Sequence, residues 1–119
     1  MKLAISCKER SEDADVDPRF GRALYFCIYE TDSDTFEFID NAQSLNSPSG
    51  AGVQAAQTIL NAGVSALVTG HCGPKAFRAL AAANVQIYTN VAGTVQEAVS
   101  AFKNHKLKLA DEADVEGHW

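Results

Sequence analysis

Apolar side chains recur with two different periods along this chain. Five short runs rich in aliphatic, aromatic or β-branched residues predict strands: KLAISC (2–7), ALYFCIYE (23–30), TFEFID (35–40), VSALVT (64–69) and VQIYTN (85–90). In TFEFID, Phe36 and Phe38 alternate with Glu37, and the turn-forming TDSD that precedes it predicts a hairpin with the second strand. Three longer stretches carry the helical period instead. AGVQAAQTILNAG (51–63) places Val53, Ala56, Ile59 and Leu60 on one face, and Gly63 closes it. PKAFRALAAAN (74–84) has Pro74 in its first turn, an apolar face of Phe77, Leu80 and Ala81, and Asn84 as its stop. GTVQEAVSAFKN (93–104) turns Val95, Ala98, Val99 and Phe102 inward, with Thr94 as N-cap.

The resulting order is a strand, a hairpin, then helix–strand–helix–strand–helix. Alternation in the second half predicts parallel strands joined by helical crossovers, and the hairpin adds an antiparallel pair. The expectation is an α/β fold with a mixed five-stranded sheet flanked by three helices. KERSEDAD (8–15) reads as a solvated loop without regular structure, and NAQSLNSPSGAG (41–52) as a linker of turn formers. Residues 105–119 lack sustained periodicity, so a single domain over 1–104 followed by a mobile tail is expected.

Composition narrows the function classes. With 46% hydrophobic and 21% charged residues, the chain is an ordinary globular one. Its net charge of −5 argues against a general nucleic-acid binder, which needs a basic face. Residues 1–50 hold 5 basic and 10 acidic groups, whereas 51–103 hold 3 and 1, and 41–74 have no charged side chain at all. Lys2 leads straight into a strand, leaving no room for a secretory signal. The apolar stretch near Thr58 is interrupted by Gln54, Gln57, Asn61 and Gly63, which excludes a membrane span. Three widely spaced cysteines (Cys7, Cys27, Cys72) form no disulfide framework, and a reducing cytoplasm is the expected location.

Candidate chemistry gathers at one predicted edge. In open α/β sheets, ligands collect beyond the carboxyl ends of the parallel strands. The loop after Cys7, GHCGP (70–74), NVAG (90–93) and SPSGAG (47–52) all lead there. The last three each open a helix, so main-chain N–H groups point into one mouth suited to an anion. No Walker or dinucleotide fingerprint is present. VDPRFGRA (16–23) adds Arg19 and Arg22, either as a polyanion clamp or, on the plainer reading, as one partner of Asp17 or Asp15 and one exposed side chain. His71 and Cys72 offer only two adjacent ligands, too few for tetrahedral zinc. Cys7 and Cys72 end neighbouring strands, a placement that would suit Cu(I) but is more simply two small residues. Cys72 with His71 as base lacks a third orienting group, and Asp13, Asp15 and Asp17 make no two-metal constellation.

VDPRFGRA, GAGVQAAQTILNAGVSALVTGHCGPKAFRAL and GTVQEAVSAF together resemble the nitrogenase iron–molybdenum cofactor biosynthesis (accessory) domain family, over most of the chain up to Phe102. Its small stand-alone members, the orange proteins, are especially similar. The resemblance implies a ribonuclease H-like sheet and the binding or carriage of an anionic metal–sulfur cluster without catalysis. The cluster it implies is a molybdenum–copper sulfide cluster, which orange proteins hold without protein bonds to the metals, or a related molybdenum/iron–sulfur one. Carried onto this sequence, it implies a cluster pocket of Arg19, Phe20, Gly21 and Arg22, of Gly50, Ala51 and Gly52, of Gly70, His71, Cys72, Gly73 and Pro74, and of Gly93 and Thr94. The family varies at His71 and Cys72, so a metal-contacting role for either is not inherited. The alternative reading is a metal-free interaction module of a larger cytoplasmic complex, its partner surface built on the neutral stretch 41–74.

Overall fold

A computed structural model describes residues 1–41, 50–111 and 113. Five strands form one mixed sheet: β1 (Lys2–Cys7), β2 (Tyr25–Glu30), β3 (Thr35–Asp40), β4 (Ala66–Val68) and β5 (Gln86–Tyr88), in the order β3-β2-β1-β4-β5. β1 and β2 pair antiparallel, as do β2 and β3, whereas β1, β4 and β5 run parallel. The expected mixed α/β architecture is the observed one. Helices α1 (Ala51–Asn61), α2 (Pro74–Ala82) and α3 (Val95–Lys103) connect or follow the parallel strands.

Alternation along the strands divides the core in two. Ala4, Phe26, Ile28, Leu67 and Ile87 pack against Ala55, Ala56 and Ile59 of α1 and Ala76 and Leu80 of α2. Leu3, Ile5, Cys7, Cys27, Tyr29, Ala66 and Val68 pack on the other side against Val95, Ala98 and Val99 of α3. Most predicted inward helix positions are buried or half-buried, with two corrections. Ala81 is exposed, standing roughly 120° around α2 from its buried Ala76 and Leu80. Val53 is 41% exposed, because the buried arc of α1 is centred on Ala55, Ala56 and Ile59 and Val53 stands roughly 100° away from it.

Two segments read as irregular are held to the sheet. Ala14 and Val16, in and just after the charged loop, are buried on the α3 side. After α3 the chain returns to β5: Leu109 bridges Tyr88, and the Ala110 N–H donates to the Ile87 carbonyl at 2.8 Å. The linker's Asn41 is buried and donates from its amide to the Ala23 carbonyl at 2.9 Å. The rest of the linker up to Ser49 lies outside the described residues, as does the chain from Asp114 on. Among the described residues, no helix is long and apolar enough to cross a membrane.

Candidate functional site

At the carboxyl ends of β1 and β4, two buried hydroxyls fix the entry of the 16–22 segment. Ser6 Oγ donates to the Asp17 carbonyl at 2.7 Å and lies 2.8 Å from Thr69 Oγ1, while the Asp17 N–H donates to the Ser6 carbonyl at 2.8 Å. Sequence reasoning passed over Ser6 and Thr69; the signal was a small hydroxyl side chain near the end of each of two otherwise apolar strands. From there the chain runs beside the loop after β4. The His71 N–H donates to the Pro18 carbonyl at 2.7 Å, and the Phe20 N–H to the His71 carbonyl at 3.2 Å. These bonds make Arg19 and His71 partners in a parallel bridge, so their side chains leave the backbone on the same side. Gly70 is required here: a Cβ would stand 2.5 Å from Pro18 Cα. Asn90 N–H to the Gly70 carbonyl (2.7 Å) and Val91 N–H to the Thr69 carbonyl (3.2 Å) add the loop after β5. The predicted convergence of these loops is therefore made by main-chain bonds.

The two arginines differ in their surroundings. Asp17 is buried, and its Oδ1 accepts the Arg19 N–H at 3.0 Å, with Arg19 Nε 3.9 Å away. Half of the Arg19 side chain nonetheless faces solvent. Arg22 is exposed and has no ion pair among the described residues. This is the plainer of the two arrangements open at the sequence level, one arginine beside Asp17 and one exposed, yet both guanidiniums remain accessible. Phe20 between them is buried, its ring 5.4 Å from that of Phe26. It anchors the short 3₁₀ turn Phe20–Arg22 against α1 and presents no surface to a ligand.

The cysteines sit in the interior. Cys72 is fully buried on the α1–α2 side, its Sγ 3.7 Å from the Gly73 carbonyl. Cys7 lies in the opposite core with Cys27, so the sheet separates it from Cys72 and a Cys7–Cys72 copper pair is excluded. Cys72 is four residues past the end of β4, not at it, so the two thiols do not end neighbouring strands as expected. Burial pushes the Cys7 thiol up to about 11 and that of Cys27 to about 12. His71 is half-buried beside Arg19. Among the described residues, no group of three His, Cys, Asp or Glu side chains is placed to hold a metal ion.

The three helix starts are unequal. Gly93, with φ +96°, and Thr94 lead into α3 as predicted, and Thr94 forms a capping box with Glu97. Its first-turn amides, however, are used within the chain. Val95 N–H donates to the Ala14 carbonyl (2.9 Å), Gln96 N–H to the Glu12 carbonyl (3.1 Å) and Glu97 N–H to Thr94 Oγ1 (3.2 Å). The expectation that α3 opens into the anion mouth is corrected on this point: the charged 8–15 loop fills its end. By contrast, the N–H groups of Ala51, Gly52 and Val53 in α1, and of Lys75 and Ala76 in α2, have no partner among the described residues. Gly50 and Gly73 are the N-caps of these two helices, with Pro74 at the first position of α2, and α1, α2 and the Phe20–Arg22 turn pack together.

The family model described as Dinitrogenase iron-molybdenum cofactor matches residues 1–105. The chain belongs to that family. Within its reach, the apo form of the orange protein from Desulfovibrio gigas shares 35% identity, with 96% of each chain covered and a TM-score of 0.94. A Thermotoga protein of the DUF35 family, solved by NMR, shares 34% identity over 98% of each chain with a TM-score of 0.84. An uncharacterised protein of Methanocaldococcus jannaschii is 29% identical over 111 residues, covering 91% of this chain and 90% of that one. The iron-molybdenum cofactor family match ends at 105, so the Leu109–Ala110 segment that covers β5 lies beyond it.

Proposed function

We propose that this member of the dinitrogenase iron-molybdenum cofactor family binds and carries a small anionic metal–sulfur cluster containing molybdenum, with copper or iron as the second metal. It acts as a carrier and not as a catalyst. One observation supports this most directly. Two helix starts keep first-turn amides with no partner among the described residues, and the chain has no carboxylate between Asp40 and Glu97. Of these helices, α1 packs on the Phe20–Arg22 turn, and α2 follows the loop bridged to Arg19. Amide donors and the positive ends of two helices favour an anion there. Accessible guanidiniums add fork-shaped donors for sulfide or oxide ligands on the cargo.

The residues fit a cargo held as an anion. The cysteine of this region is buried, and His71 is the one accessible ligating side chain in the bridged loops. Hydrogen bonds from Ala51, Gly52, Lys75 and Ala76 amides, with Arg19 and Arg22, would hold the sulfido face without a thiolate bond. Gly52, half-buried in the first turn of α1, has no Cβ to hold a cargo away from the backbone. Thr94 and Gly93 position the loop between β5 and α3, and Phe20 holds the arginine turn from beneath.

Anaerobic incubation of the protein with tetrathiomolybdate, with and without Cu(I), tests the reading. Stoichiometric molybdenum retained through desalting, with a new visible absorption band, is the expected result. Removal of all metal by desalting in both arms would overturn it.

A further inference from the structure

Both edges of the sheet are met by the chain itself, and among the described residues the cover on β3 is one side chain. On β5 a backbone segment does the work, through Leu109 and Ala110. The β3 edge can be read from hydrogen-bond parity. The Asn41 N–H donates to the Leu24 carbonyl at 2.9 Å, which makes 24–41 a hydrogen-bonded pair. Alternation then makes Phe26–Ile39, Ile28–Glu37 and Glu30–Thr35 hydrogen-bonded as well. Phe36, Phe38 and Asp40 consequently turn their N–H and C=O groups out of the sheet. Arg10, reaching across from the loop after β1, meets this row at its centre. Its Nη1 donates to the Phe38 carbonyl at 3.0 Å, its Nη2 pairs with the Asp40 carboxylate, and its guanidinium lies 5.2 Å from the Tyr25 ring centre. The outward N–H groups of this row and the carbonyls of Phe36 and Asp40 have no partner among the described residues.

We propose that the outer edge of β3 is a strand-pairing surface for a second copy of this chain, and that Arg10 holds it closed. Unpaired edge groups are a ready template for another strand, and a charged side chain on the edge is a common way of blocking it. The sequence of β3 fits its own antiparallel copy. Pairing about a two-fold axis at Phe38 sets the two Phe38 residues opposite each other, an aromatic cross-strand pair. The same register sets Phe36 across from Asp40 and Glu37 across from Ile39, so no like charges meet directly. Phe36 and Phe38 are already half-buried on the α3 side and would continue that apolar face into the second copy. The central Phe38 carbonyl is the acceptor such a pairing needs first, and it is the one that Arg10 occupies.

The test is the solution mass of the whole chain by sedimentation or light scattering over a wide concentration range. Wild type is expected at its single-chain mass of 12.7 kDa. Arg10→Ala is expected to shift toward twice that mass as concentration rises. Arg10→Met, which keeps the stem over Tyr25 and drops the donors, serves equally if the alanine variant folds poorly. Adding Asp40→Pro, which removes an outward N–H, is expected to restore the single-chain mass. A folded Arg10→Met that stays at 12.7 kDa throughout overturns the proposal. So does a doubled wild-type mass, or association that Asp40→Pro leaves untouched.

Discussion

Arg19 and His71 face the same way from two strands' worth of loop, joined by a main-chain bond on each side of the bridge at 2.7 and 3.2 Å. The arginine turn therefore has no independent position; it is carried by the loop that opens α2. Gly70→Ala would break this relationship, since the added Cβ meets backbone atoms of Pro18 that cannot rotate away. A loss of about 1–3 kcal/mol is expected, as for other overpacked sites. It would be read as a lower urea midpoint, with weaker molybdenum retention in the fraction that remains folded.

Charge reversal at the turn separates binding from folding. Arg22 is exposed and unpaired among the described residues, so Arg22→Glu should change stability by no more than about 0.5 kcal/mol. Arg19→Glu sets a carboxylate beside buried Asp17 and should cost more, so retention by the double variant is compared in its folded fraction. A hydrogen bond to a charged group contributes about 1.5–3 kcal/mol, so cargo affinity should fall by about tenfold or more. Equal retention of tetrathiomolybdate by the double variant and wild type would remove the arginines from the mechanism.

The α3 start should behave in the opposite way. Thr94→Ala removes the capping box and should cost about 1 kcal/mol of stability. Because the first-turn amides of α3 are bonded to Glu12 and Ala14, cargo retention by the folded variant should stay at the wild-type level. Parallel denaturation and metal-retention measurements check both halves.

The buried thiols predict a pH dependence. Cys7 and Cys27 titrate near 11 and 12 in the fold, against an ordinary value of 9.0, because burial penalises the thiolate. Above about pH 9 the unfolded chain loses these protons while the folded one keeps them. Stability should thus fall as pH rises from about 9 toward 11, by up to about 1.4 kcal/mol per pH unit for each thiol. Unfolding at stepped alkaline pH, compared with a Cys7→Ala/Cys27→Ala variant, measures this contribution. Both thiols should also resist alkylation at neutral pH until the protein unfolds.

Much of the architecture was legible because its signals are local. Strand alternation in TFEFID, Pro74 at a helix start and Thr94 before Val95 each act within a few residues. The site was legible only as a set of loops. That the first-turn amides of α3 are used within the chain depends on carbonyls of Glu12 and Ala14, more than eighty residues from the amides they meet in sequence. Their side chains, charged or small, carry no sign of it. Cys72 misled for a related reason: placing it at the end of a strand assumes that the chain stays extended as far as that residue. Beyond Val68 it bends through Gly70, and the thiol turns into the other core.

The bonds between the 8–15 loop and α3 also decide how the molecule opens. A polar segment that composition would assign to rapid solvent exchange supplies the acceptors for Val95 and Gln96, and its neighbour Val16 donates to the Gly93 carbonyl. These amides cannot be exposed without parting the loop from the helix. Deuterium should therefore enter Val16, Val95 and Gln96 together, at a rate set by a shared opening event. The most highly charged stretch of the chain would then belong to one of its cooperative units.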